Sequence, residues 1–211
     1  KDWLFFFCAA SSVGAIDLGL YKVNEKDNHE IFNKLNNNEF EIVYLLGADE
    51  LVFNKKEEFI IYQGTHGDKG ASIADVILPG AAYTEQDGYF TNLEGKIQKA
   101  FKASYPPGES KEDWEIINNI SQSLSKHLDI TNKFDLEKKL IRSNNYYSKE
   151  GFIIKEKSFN RKNQSKVAFV NSKIEIKKID YYFTNPIARA SKTMLDCKII
   201  QNNFKSTGTE G

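Results

Sequence analysis

Gly64, Gly67 and Gly70 recur every third residue in QGTHGDKG, directly after the apolar run Phe59 to Tyr62. Glycine at that density means a backbone with positive φ or a close approach by another group. A strand that empties into such a loop, followed by a helix start, is the usual cradle for a phosphate, because unpaired amides and the helix dipole both favour an anion. The spacing is neither G-x-G-x-x-G nor a loop ending in G-K-[ST], so the dinucleotide and nucleoside-triphosphate motifs are not met. A tight structural turn is the favoured reading. His66 lies inside this loop with no serine or cysteine nucleophile paired to it, and reads as a turn residue or hydrogen-bonding support. A second loop, Gly47-Ala48-Asp49-Glu50, follows the stretch Glu39 to Leu46. Open α/β sheets bind ligands at that carboxyl edge, but two adjacent carboxylates repel a phosphate unless cations neutralise them.

The elements that must position these loops are short. EFEIVYLL, Glu39 to Leu46, alternates at first and is apolar at its end, as a strand entering a covered parallel sheet should be. Phe59 to Tyr62 is a buried strand, and Val76 to Leu78 a second short apolar strand, ended by Pro79 and Gly80. A helical turn through Ala71 to Asp75 lies between them. Asp87-Gly88 signals a turn before a strand through Tyr89 to Asn92. Thr91, Asn92, Glu94 and Gln98 suit the hydrogen bonds of a buried turn better than a cofactor site. Trp3 to Ile16 is apolar but too short to span a bilayer, which takes about 20 residues, and reads as a buried helix. Ile31, Phe32 and Leu35 mark one short amphipathic helix. The best helix starts near Asp113, with Ser110 or Asp113 as its cap and Ile116, Ile117, Ile120, Leu124 and Leu128 on one face. Phe134 to Ile141 is also helical. After Asn185-Pro186, Ile187, Ala190, Ser191, Met194 and Leu195 fall on one side of a last helix. Residues 1–141 thus form an α/β domain, 142–180 an Asn/Lys-rich insertion or arm, and 181–211 a helix and tail.

Lys plus Arg and Asp plus Glu are 29 each, so no global field draws the chain to nucleic acid. There are two cysteines, Cys8 and Cys197, and neither sits in a C-x-x-C. A cluster or structural zinc needs several closely spaced thiolates, so no metal site and no catalytic residue is expected. Met194 is the only methionine, so Lys1 is not expected to be an encoded start.

GTHGDKGASIADVILPGAAYTEQDGYFTNLEGKIQ resembles a segment of the large iron-sulfur subunit of respiratory complex I, and more distantly of molybdopterin oxidoreductases. SSVGAIDLGL, VYLLGADE and YYFTNPIARASKTMLDC are similar to the same subunit family, in the same order. The resemblance implies a partial molybdopterin-oxidoreductase-like, Rossmann-like α/β domain with short, mostly parallel strands and helices on both faces, completed by another chain. Gly47, Asp49, Glu50, Gly64, His66, Gly67 and Gly70 would then be vestigial cofactor-contacting positions, with no cofactor bound. Iron-sulfur clusters are expected in a partner chain or a missing N-terminal part. The implied role is structural, in the peripheral arm that carries electrons from NADH to ubiquinone, on the matrix side of the mitochondrial inner membrane. Other peripheral-arm subunits would be the partners, with Ala188, Arg189 and Ser191 at an interface. The alternative is a fragment of a molybdopterin enzyme that still binds a pterin dinucleotide.

Overall fold

The computed structural model describes residues 11–20, 33–49, 53–151, 180 and 182–203. They fall into two compact units, which are described separately.

The larger unit begins with α1, Ser12–Asp17. Gly14 is buried within it, and a Cβ there would lie 3.2 Å from Thr91 Oγ1 and 3.3 Å from the Tyr147 hydroxyl. Only glycine lets this helix sit so close to its neighbours. The expected helix from Trp3 can be followed here only from Ser12, since residues 1–10 lie outside the described set. Residues 33–36 are helical and Leu35 is buried, while Ile31 and Phe32 also lie outside the described residues.

Three strands follow: β1, Ile42–Leu46, β2, Phe59–Gly64, and β3, Val76–Pro79. They form a parallel sheet in the order β1-β2-β3, with Ile42 opposite Phe59 and Ile61 opposite Val76. The five-residue α2, Lys69–Ile73, crosses from β2 to β3. It starts two residues earlier than the expected turn because the Asp68 carboxylate accepts the Lys69 amide at 2.8 Å. Leu45, Ile60 and Tyr62 are the buried core of this layer, packed under Phe53, Ala48, Ala71, Ile73 and Ala74. Burying each large side chain contributes roughly 1.5–3 kcal/mol. Asp75 opens β3 with a reciprocal pair of bonds to Ile60: its amide donates to the Ile60 carbonyl at 2.8 Å and its carboxylate accepts the Ile60 amide at 2.8 Å.

A separate antiparallel hairpin joins β4, Gly88–Thr91, to β5, Ile97–Ala100. Its turn is set by Asn92, whose side-chain oxygen accepts the amides of Glu94 at 3.0 Å and Lys96 at 2.8 Å, and by Gly95 at φ +83. Asn92 therefore serves a turn, as its surroundings suggested. Helix α3 runs over Asp113–Ser123. The apolar spacing extends it to Leu128, but it stops at Ser123 because Ser125 takes a left-handed φ of 55 and Lys126 folds back to the Ser121 carbonyl at 2.8 Å. Glu112 is its cap residue, with no side-chain capping bond, rather than Ser110 or Asp113. Helix α4, Lys133–Ser143, is capped by Asn132, and a 3-10 turn at Asn145–Ser148 buries Tyr147.

In the smaller unit the last helical stretch is two helices, α5, Pro186–Ala190, and α6, Lys192–Asn203. Ser191 adopts extended backbone between them, so no single continuous stripe links Ile187 to Leu195. Asn185 caps α5 by accepting the Ala188 amide at 2.9 Å, and Lys198 pairs with Asp180 at 2.5 Å.

Candidate functional site at the carboxyl edge of the parallel sheet

The structure brings the two predicted loops together at the carboxyl ends of β1 and β2. Gly47, at φ +61, donates to the Gln63 carbonyl at 2.8 Å, and the Gly70 amide donates to the Asp49 carbonyl at 3.2 Å. The glycines are explained by Tyr62, which is 2% exposed. A Cβ on Gly70 would lie 2.9 Å from the Tyr62 ring and 3.0 Å from the Ala48 carbonyl, and one on Gly64 would overlap the Tyr62 ring and hydroxyl. Gly67 has no neighbour within 4 Å of a built Cβ. The Tyr62 hydroxyl donates to the His66 carbonyl at 2.9 Å, and His66 Nδ1 lies 2.9 Å from Thr65 Oγ1. His66 thus anchors the loop's own tyrosine. Asp49 is buried and Glu50 lies outside the described residues.

This arrangement does not fit a pyrophosphate. The Gly47 and Gly70 amides are committed to the chain's own carbonyls, the space that Gly64 and Gly70 clear holds an aromatic ring, and a carboxylate, Asp68, occupies the start of α2. An anion there would meet like charge where a cradle offers free amides. Among the described residues no group of three or more His, Cys, Asp or Glu could hold a metal ion.

Beside these loops lies a polar network that the sequence did not single out as a site. Gln63 is fully buried in β2, accepts the Tyr44 hydroxyl and donates to Asp113 Oδ1 at 2.7 Å. Gln86 donates to Asp113 Oδ2 at 3.0 Å and to the Ala81 carbonyl at 3.1 Å, and accepts the Asp113 amide at 3.2 Å. Burial and then the nearby Asp113 charge push the Tyr44 hydroxyl above its ordinary range, which keeps it a neutral donor. The one signal in the sequence was Gln63 itself, a polar residue inside an otherwise apolar strand. A buried network whose members are mutually bonded fixes geometry. It offers no free acid or base.

A second feature is a cavity of about 390 Å³ between the hairpin and α4, walled by Leu18, Tyr89, Phe101, Trp114, Leu136 and Tyr147. Its charges are matched. Lys133 bridges Asp87 and the buried Glu112, each at 2.7 Å, and Trp114 Nε1 donates to Glu112 at 3.1 Å. Lys99 pairs with Glu137 at 3.0 Å, while the Tyr89 hydroxyl, then Lys99, hold the Glu137 carboxyl below its ordinary range. Each of these ions is therefore held by a partner on the cavity wall.

The relatives account for the fold in which both features sit. The molybdopterin oxidoreductase family matches residues 4–123, more than half of the chain. The chain belongs to the molybdopterin oxidoreductase family. The C-terminal region of the NADH-ubiquinone oxidoreductase G subunit matches residues 149–197, across most of the Asn/Lys-rich stretch and the start of the C-terminal helix region. The chain is 40% identical over 197 residues to the NADH-ubiquinone oxidoreductase 75 kDa subunit of Reclinomonas americana, covering 91% of this chain and 28% of that protein. It is 40% identical over 200 residues to the NADH-quinone oxidoreductase G subunit of Rickettsia bellii, covering 94% of this chain and 28% of that protein. With the mitochondrial NADH-ubiquinone oxidoreductase 78 kDa subunit of Candida albicans it shares 37% identity over 89% of this chain and 26% of that protein. The chain therefore spans little more than a quarter of these curated relatives. The similarity expected from the sequence, to the C-terminal, molybdopterin-oxidoreductase-like part of this large subunit, is what these relatives show. Within the family fold, the glycine loops of this chain enclose Tyr62.

In the smaller unit the three residues expected at an interface make local bonds. Arg189 donates to the Phe183 carbonyl at 3.3 Å, and the Ser191 hydroxyl accepts the Met194 amide at 3.4 Å while its own amide donates to the Ala188 carbonyl at 3.2 Å. Among the described residues there, Ile187, Leu195, Ile199 and Ile200 expose apolar surface.

Proposed function

We propose that residues 1–211 are a structural portion of the large iron-sulfur subunit of complex I, placed in the peripheral arm that passes electrons from NADH to ubiquinone. The chain holds neither a cluster nor a pterin. The observation that carries the reading is the 40% identity over 91% of the chain to a 75 kDa complex I subunit. The seat of Tyr62 inside the glycine loops supports the cofactor-free part of it. Clusters are carried by partner sequence, and Ala188, Arg189 and Ser191 keep α5 and α6 in the shape that docks on neighbouring peripheral-arm subunits. The location is the matrix side of the mitochondrial inner membrane, in keeping with the mitochondrial relatives. Among the described residues no helix is long and apolar enough to cross a membrane.

The test is the native size of the chain in a mild detergent extract of its source membranes, on a gel stained for NADH dehydrogenase activity. Co-migration with the stained band is the expected result. Migration as a small, unstained species would overturn the subunit reading and favour a pterin-binding enzyme fragment, to which the match to the molybdopterin oxidoreductase family at residues 4–123 also points.

A further inference from the structure

The cavity between the β4–β5 hairpin and α4 is walled by described residues of the larger unit. Its volume of about 390 Å³ lies in the range of roughly 300–1,000 Å³ usual for small-molecule sites. The rings of Tyr89, Phe101, Trp114 and Tyr147 stand around it, together with Leu136 and Leu140 of α4. Tyr89 and Tyr147 meet edge to face, with centroids 5.7 Å apart and planes at 86°, so the wall has a fixed aromatic corner. Phe101 is 73% exposed and marks the opening to solvent.

The polar atoms of the wall are already engaged. Trp114 Nε1 and Lys133 bond Glu112, Lys133 also bonds Asp87, and Glu137 accepts from the Tyr89 hydroxyl and Lys99. The Lys99 ammonium stands 5.3 Å from the Tyr89 ring centroid and 5.7 Å from that of Phe101. Lys102, 3.5 Å from Glu112, completes the balance of ammonium groups against carboxylates. An ion entering this space would give up its water without meeting a free counter-charge. A buried water needs about two to four polar partners, and the groups here are spent on one another.

We propose that this cavity is a binding site for an uncharged, flat aromatic molecule of two or three fused rings. A closed apolar cavity of roughly 150 Å³ takes one benzene, and the volume here is more than twice that. Aromatic walls favour a planar guest that can lie offset or edge-on against them, and the leucines cover the rest of its surface. The site is separate from the glycine loops and does not depend on the subunit reading.

The test photolabels the protein, purified in its assembled state from native membranes, with phenyl(trifluoromethyl)diazirine, a small uncharged precursor of an aryl carbene. Labelled residues are identified by mass spectrometry. Label on Trp114, Leu136, Leu140 or Tyr147 is expected, lowered at least about five-fold by excess naphthalene, as mass action requires of a shared site. The charged analogue naphthoate should need at least about ten times the concentration, because its carboxylate finds no free partner. Leu140→Trp, which fills the space, should remove the label, whereas Leu124→Trp, at an exposed position outside the cavity, should leave it unchanged. Absence of label from the wall, as when protein fills the space instead, would overturn the proposal. So would label that naphthalene does not displace, or equal competition by naphthoate. The wild-type competition decides the matter even if Leu140→Trp fails to assemble.

Discussion

Along β1 and β2, alternate side chains meet different fates. Leu45, Ile60 and Tyr62 are 4%, 0% and 2% exposed, whereas their neighbours Leu46 and Phe59 are 52% and 45% exposed. Both sets are apolar, and hydrophobicity alone does not separate them. The difference lies in what the chain supplies nearby: α2, Phe53 and Ala48 pack over one side, and the reciprocal Asp75–Ile60 bonds fix β3 against β2. Where the chain provides its own cover the strands form a core. Where no described residue packs over them, the same strand pattern leaves apolar side chains exposed.

The largest effect that sharpens this contrast is expected from Ile60→Ala, which empties a fully buried position and should cost about 2–5 kcal/mol. Leu46→Ala in the same chain should stay within about 0.5 kcal/mol, as for an exposed position. Equilibrium urea unfolding of both variants checks the pair, and equal losses would break the comparison. Gly70→Ala is next, at about 1–3 kcal/mol, because the new methyl meets the Tyr62 ring and the Ala48 carbonyl in a packed site. If the loop were an open cradle the same change would leave the melting temperature nearly unmoved. Tyr62→Phe keeps the ring and removes the bond to the His66 carbonyl, for an expected loss of about 1 kcal/mol by thermal unfolding.

The smallest effect is a pH dependence on the covered side. The Ile60 amide, then Lys55, hold the Asp75 carboxyl below its ordinary range. A carboxylate whose folded pKa is depressed contributes stability that is fully present above its unfolded value of about 3.9 and is lost as pH falls through the lower folded value. The wild-type melting temperature should therefore drop more steeply below about pH 4 than that of Asp75→Asn. Parallel acid limbs would show that Asp75 contributes nothing through ionisation.

Much of this arrangement could be read from the residues. Phe59–Tyr62 and Val76–Leu78 are short apolar runs, and β2 and β3 lie there in parallel register, although β3 is largely exposed. The loops at Gly47 and Gly64 to Gly70 meet as the edge of an α/β sheet requires. What the loops enclose was not legible, because the periodic glycines are the same whether the approaching group is a phosphate or a tyrosine two residues upstream. Strand β5 was hidden by its composition, since Gln98 and Lys99 interrupt the apolar pattern and its partner bonds are with β4. The early end of α3 was equally hidden. Leu124 and Leu128 continue the helical spacing but are 67% and 37% exposed, so no packing extends the helix past the left-handed Ser125. The Gln63–Asp113–Gln86 network joins residues 50 and 27 positions apart, a distance that no local pattern carries.

The measurement that tests the central claim most directly is the molybdenum and pterin content of the protein purified in its assembled state from native membranes. Glycine loops closed around Tyr62 predict neither molybdenum nor pterin. One molybdenum and its pterin per chain would contradict the account, because the amides and the space they need are those that the chain uses itself.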